Sequence, residues 1–102
     1  MAKVTPEGKF QEELIKYLKS SGFLVIRTQM GAQSGYPDIT VFVNGFSVLM
    51  ELKRPDGKGK PTKQQEKVIE ELRKRDVICG IVSSKEEADA LVKEAVKRKW
   101  KK

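Results

Sequence analysis

Apolar and polar positions alternate most regularly in two runs, Ile39 to Val43 and Phe46 to Leu52, separated by Asn44-Gly45. An Asn-Gly pair between two such runs predicts a β-hairpin, because a type I′ turn needs positive φ at both central residues. The turn fixes the register: Val43 lies opposite Phe46, Phe42 opposite Ser47, and so on outward to Asp38 opposite Glu51. Side chains alternate along each strand. One face of the ribbon therefore carries Ile39, Val41, Val43, Phe46, Val48, Met50 and Leu52, all apolar. The other carries Asp38, Thr40, Phe42, Ser47, Leu49, Glu51 and Lys53.

Elements on both sides of the hairpin follow from the same kind of patterning. Thr5-Pro6-Glu7 reads as N-cap, N1 and N2 of a helix. Phe10, Leu14, Tyr17 and Leu18 continue it at helical spacing until Ser20-Ser21-Gly22, although Gly8 is a poor residue so near a helix start. Phe23 to Thr28 is a β-branched run, a first strand. Gln29 to Tyr36 is a polar loop in which Gly35 allows a tight turn before Pro37 and Asp38. Arg54 to Pro61 has no periodicity. Thr62 with Gln65 has capping-box spacing and opens a helix over 62–75, whose apolar stripe is Val68, Ile69 and Leu72. Val77 to Val82 is an apolar strand, and the intervening helix makes it a crossover partner parallel to strand 46–53. Ser84-Lys85-Glu86-Glu87 reads as a second capping box, before a helix through Ala88, Leu91, Val92, Ala95 and Val96. The order is αβββαβα, an α/β architecture: an antiparallel meander and one parallel strand form a mixed four-stranded sheet flanked by helices.

Composition narrows the class. A chain of 102 residues, 38% hydrophobic, suits one domain spanning 1–102 with a basic tail at 97–102. No run approaches the ~18 apolar residues of a membrane span, and the first residues lack a signal peptide's apolar region. The single cysteine, Cys79, lies in an apolar strand and reads as a buried reduced thiol, fitting a cytoplasmic protein. Histidine is absent, which excludes histidine bases and histidine-ligated zinc. Hydrolytic chemistry is left to carboxylate, lysine and metal. The net charge of +7, from 21 basic and 14 acidic residues, favours an anionic partner, with nucleic acid first.

The polar face of the hairpin offers such chemistry. Asp38 and Glu51 form the closer kind of cross-strand pair, with Cα atoms roughly 4.5 Å apart. Facing carboxylates repel, and a divalent cation would offset that, since hard cations take carboxylate oxygens. Lys53 lies one pleat from Glu51, about 6.6 Å along the strand. Two carboxylates and a lysine converging at one end of a hairpin make a metal-dependent hydrolytic site. Beside it, Gly57-Lys58-Gly59-Lys60 fails the phosphate-loop pattern because Pro61 follows Lys60. Arg54, Lys58, Lys60 and Lys63 suit contacts to a DNA backbone. Tyr36 is either a stacking surface for a base or sugar, or a loop anchor. The terminal cations around Trp100 read either as a nucleic-acid grip or as a frayed end.

Pro37-Asp38 followed by Glu51-Leu52-Lys53 resembles the PD-(D/E)XK nuclease superfamily. The wider pattern, from Glu7 through Gly35-Tyr36-Pro37-Asp38 and Glu51-Leu52-Lys53-Arg54-Pro55 to Gln65, resembles its VRR-NUC family over nearly the whole chain. The resemblance implies a restriction-endonuclease-like αβββαβα core and a DNA endonuclease using Mg²⁺ or Mn²⁺. It implies Asp38 and Glu51 as metal ligands with the Leu52 carbonyl as a further oxygen, and Lys53 as the catalytic lysine. It also brings Glu7 and Gln65 to the edge of the site. Both have local readings: an acid in a first helical turn complements the helix dipole, and Gln65 caps its helix. Compact stand-alone members resemble nucleases that cut four-way junctions as homodimers. That implies branched or duplex DNA as partner, with no membrane and no small-molecule cofactor. Two alternatives stand beside it: a nucleic-acid-binding module whose hairpin acids are incidental, and a nicking or restriction-like nuclease. No zinc-finger or helix-turn-helix motif is present, which argues against base-specific recognition.

Overall fold

Phe10, Leu14 and Leu18, spaced for one face of a helix, are buried on α1, Pro6–Ser20. α1 stops where Gly22 N and Phe23 N donate back to Lys19 O and Leu18 O, at 3.0 and 3.2 Å, a Schellman-type closure. There follow β1, Leu24–Arg27; β2, Ile39–Val43; β3, Phe46–Leu52; α2, Lys63–Lys74; β4, Ile78–Val82; and α3, Lys85–Lys97. The structure, a computed structural model, describes residues 6–28, 35–56 and 59–98. Thr5, the expected N-cap of α1, lies outside them. The hairpin strands have the bounds that the alternation predicts. β1 and β4 are shorter than expected, leaving Phe23, Thr28 and Val77 as flanking residues.

Asn44 and Gly45 adopt φ of 53° and 87°, as a type I′ turn requires, and the register follows: Val43 pairs with Phe46 and Ile39 with Met50. β1 adds antiparallel to β2, and β4 adds parallel to β3, giving the sheet order β1-β2-β3-β4. One face buries Val41, Val43, Val48, Met50, Leu52, Ile78 and Val82 against α1 and α3. Tyr17, on the α1 stripe, donates its hydroxyl to both carboxylate oxygens of Asp89 at 2.9 Å, tying α1 to α3.

The opposite face has a smaller core, Leu49, Ile69 and Cys79, with Leu72 and Val77 packed against it. α2 covers only the β3–β4 half of this face. Leu24, Ile26 and Phe42, which share it on β1 and β2, stay exposed. Cys79 is a buried free thiol whose Sγ lies 3.6 Å from Ile69 O, and burial pushes its pKa up. Among the described residues no helix is long and apolar enough to cross a membrane.

The capping box of α2 forms as expected. Thr62 Oγ1 accepts from Gln65 N at 3.1 Å, and Gln65 Oε1 accepts from Thr62 N at 2.9 Å. That of α3 departs from expectation. Ser84 Oγ accepts from Glu87 N at 3.2 Å, but the Glu87 carboxylate reaches one residue further back, to Ser83 N at 3.1 Å and Ser83 Oγ at 2.6 Å. Two adjacent serines carry four donors, and the carboxylate takes three of them, both hydroxyls included.

Candidate active site

The hairpin ladder stops at the Ile39–Met50 rung, one short of the expected Asp38–Glu51 pair. The cause is local. Pro37 has no N–H to give to a further rung, and its carbonyl accepts from Thr28 Oγ1. Leu52 N, which the register would direct to that carbonyl, instead donates to Asp38 Oδ2 at 2.8 Å. The Asp38 backbone is held separately, its carbonyl accepting from Thr28 N at 2.9 Å. Asp38 is thus a side-chain cap on the end of β3 rather than a rung. The site it helps to form is a strand end, with its carboxylate bonded to the residue directly after Glu51.

Glu51 is 2% exposed and is the buried charged residue of the described chain. A carboxylate withdrawn from water needs charge-matched or hydrogen-bonding neighbours, and it has both. Gln65 Nε2 donates to Glu51 Oε1 at 2.9 Å, and Lys53 Nζ lies 3.7 Å from the same oxygen. Lys53 is itself mostly buried. Its backbone N donates to Val82 O at 2.9 Å, extending the β3–β4 pairing past the strand end and fixing where its side chain starts. The two readings of Gln65 prove compatible: its Oε1 caps α2 while its Nε2 holds Glu51.

Of the other expected residues, Tyr36 is exposed at the loop corner and Lys60 and Lys63 are exposed. Arg54 turns back onto its own loop, pairing with Asp56 at 2.7 Å, while its Nε is buried with no hydrogen-bond partner among the described residues. Lys58 lies outside the described residues, as do the Glu7 side chain and residues 99–102 of the basic tail. Arg98 of that tail is engaged with the fold, donating to Asp76 O at 2.6 Å and Glu94 Oε1 at 3.1 Å. Thr28 and Thr62 are positioning residues that the sequence reading did not assign to the site. Thr62 was visible as a cap, but nothing local in sequence marks Thr28 as a partner of Pro37.

Among the described residues no group of three or more Asp, Glu, His or Cys side chains gathers. The described donors are two carboxylates and nearby backbone oxygens. That set fits Mg²⁺, which keeps several waters and is held by one or two carboxylates together with substrate phosphates.

No family sequence profile and no curated protein matches the chain. Solved structures do. A VRR_NUC domain superposes with a TM-score of 0.73 at 30% identity, over 87% of this chain and 96% of that one. A VRR_NUC domain protein superposes with the same TM-score at 19% identity, over 94% and 92% of the two chains. The αβββαβα order, the mixed sheet and these neighbours define a compact α/β fold of the restriction-endonuclease-like class. Within that class the chain belongs to the VRR-NUC domain family, a family of nuclease domains.

Proposed function

We propose that this protein is an Mg²⁺- or Mn²⁺-dependent endodeoxyribonuclease that cuts branched DNA, with four-way junctions resolved by a homodimer. The observation that carries the reading is the buried Glu51 carboxylate, held by Gln65 and Lys53 beside an Asp38 carboxylate anchored to the next backbone N–H. A fold that only needed to bind DNA would gain nothing from burying an acid at a strand end, because burial costs the charge its hydration.

Asp38 and Glu51 would hold the cation, with the Leu52 carbonyl as a further oxygen and Glu7 as an additional acid. When bound, such a cation lowers the pKa of a coordinated water and neutralises charge on the scissile phosphate. Lys53 orients the attacking water or stabilises charge developing on the phosphate oxygens. Gln65 keeps Glu51 in one orientation. Tyr36, Lys58, Lys60 and Lys63 contact the DNA, joined by Arg54 once it exchanges Asp56 for a phosphate. The contacts of the lysines and of Arg54 are to the backbone and carry little sequence information. Homodimerisation would supply the two symmetric cuts that a junction requires, and two-fold dimers are the commonest soluble oligomers. The buried free thiol suits a reducing, cytoplasmic setting.

The test is a panel of labelled duplex, flap, single-stranded and four-way substrates with Mg²⁺, Mn²⁺ or Ca²⁺, run beside Glu51→Ala and with light scattering at micromolar protein. Metal-dependent, paired cuts on opposed strands of the junction are expected, and they should vanish in Glu51→Ala. Binding without breakage would leave a nucleic-acid-binding module. Cuts on one strand by a monomer would leave a nicking nuclease.

A further inference from the structure

A groove of about 410 Å³ runs along the flank of α2 beside the corner that carries Tyr36. Val68 and Leu72 supply apolar surface, Tyr36 stands at 40% exposure, and Lys67 and Arg75 supply positive charge. The two cations are not equivalent. Arg75 donates to Glu71 O and Glu71 Oε2, both at 2.9 Å, and is committed. Lys67 is exposed and forms no ion pair among the described residues.

The corner is pressed onto the helix rather than hanging beside it. Gly35 has φ of 83°, and a Cβ there would stand 2.8 Å from Gln64 Cγ and 2.9 Å from Gln64 O. Only glycine allows that approach, and it seats Tyr36 at the groove. Tyr36 is two residues from Asp38, at most about 7 Å of extended chain. On the helix side of the same corner, Gln64 precedes Gln65, which holds Glu51. Two residues that line the groove, Tyr36 and Gln64, thus lie within two positions along the chain of Asp38 and Gln65 of the candidate active site.

An aromatic face, an apolar wall and one uncommitted cation match the parts of a single nucleotide: a flat apolar base and a phosphate. A base inside a duplex is stacked between its neighbours and cannot enter such a groove. We propose that the groove takes an unpaired base next to the cleavage position, stacked on Tyr36, with an adjoining phosphate on Lys67. The proposal rests on the nuclease reading and adds to it a substrate class: DNA that already has a base out of the stack near the cut, as at a branch, gap or flap.

Stacking of a base on an aromatic side chain contributes about 1–3 kcal/mol, so its loss should reduce preference for such substrates by roughly 5- to 150-fold. The experiment uses two DNAs that differ only in whether one 2-aminopurine near the cut is paired. Each is titrated in EDTA with the parent protein, Tyr36→Ala, Tyr36→Phe and Lys67→Ala, and then assayed for cleavage with Mn²⁺. The parent and Tyr36→Phe should change the 2-aminopurine fluorescence and prefer the unpaired substrate. Tyr36→Ala should lose the fluorescence change and at least fivefold of that preference. Lys67→Ala should lower the slope of log affinity against log salt by about one. A fluorescence change that survives Tyr36→Ala, an unchanged preference ratio, or a parent that binds neither DNA would overturn the groove assignment. Tyr36-dependent binding of the unpaired base without cleavage by the parent would uphold the groove and remove the nuclease reading. Cleavage with a Tyr36-independent ratio would do the reverse.

Discussion

Gln65 Nε2 lies 2.9 Å from Glu51 Oε1 while Oε1 of the same amide accepts the Thr62 N–H at 2.9 Å. The helix cap thus sets which end of the amide faces the carboxylate, and a donor rather than an acceptor is presented to the buried acid. Gln65→Glu separates the two roles. Glutamate is a normal capping-box residue, so α2 remains capped, but Glu51 would face a second acceptor. In EDTA the variant should melt lower than the parent, by about 1–3 kcal/mol of stability. Mn²⁺ should then raise its Tm more than it raises the parent's, because an added acid strengthens a hard-cation site. Parent-like melting in EDTA would show that the amide contributes nothing to holding Glu51.

Asp38 is predicted to matter to the fold as an acceptor and to the proposed chemistry as an anion. Asp38→Asn keeps an oxygen for Leu52 N and should change stability little. Asp38→Ala leaves that N–H without its partner and should cost about 1–3 kcal/mol, with faster hydrogen exchange at Leu52. Both should abolish metal-dependent cleavage. Equal stability of the two variants would mean that the 2.8 Å bond is not a significant part of the strand end.

The hairpin, its register and both faces were legible because an Asn-Gly turn leaves a period-two pattern one way to pair. The end of the ladder was not legible. Extrapolating the register placed Asp38 and Glu51 as a repelling rung, whereas Pro37 and Thr28 end the ladder and turn Asp38 into a cap. Each carboxylate therefore has its own protein donor, Leu52 N for Asp38 and Gln65 Nε2 for Glu51. Gln65 was legible as a cap and as a candidate for the site, but only the fold shows the capping amide also donating to Glu51. The groove at Tyr36 depends on Gly35 meeting Gln64, a contact between distant segments that no local pattern encodes.

Lys53 and Glu51 form a pair in which removal of either partner should have opposite effects. Lys53→Met leaves a buried carboxylate with weaker compensation. Breaking a buried pair costs about 3–5 kcal/mol, and because Gln65 still donates, a loss of about 2 kcal/mol is expected here. Glu51→Gln removes the buried charge, while Lys53 can still reach water, so stability in EDTA should be unchanged or higher. The double variant should recover most of what Lys53→Met loses, and urea titration of the four proteins gives the coupling. If Lys53→Met alone is as stable as the parent, the 3.7 Å contact is not stabilising the fold.

The start of α3 should confer a pH dependence separate from the site. The hydrogen bond from Ser83 Oγ, opposed next by burial and helped by those from Ser83 N and Ser84 Oγ, holds the Glu87 carboxyl below its ordinary pKa of 4.5. A carboxyl whose folded pKa is depressed stabilises the fold above its unfolded pKa, and that stabilisation is lost as pH falls through the folded value. Glu87→Gln should therefore be less stable than the parent at pH 7, by about 0.5–1 kcal/mol for so exposed a helix start. The gap should stay constant down to pH 4.5 and narrow below it as the parent carboxyl protonates. Ser83→Ala should reproduce part of the neutral-pH loss, because it removes the donor with the largest effect on the carboxyl. Thermal melts of the three proteins between pH 7 and pH 3 provide the measurement. A gap that widened on acidification would mean that the carboxyl is not held as an anion by the two serines.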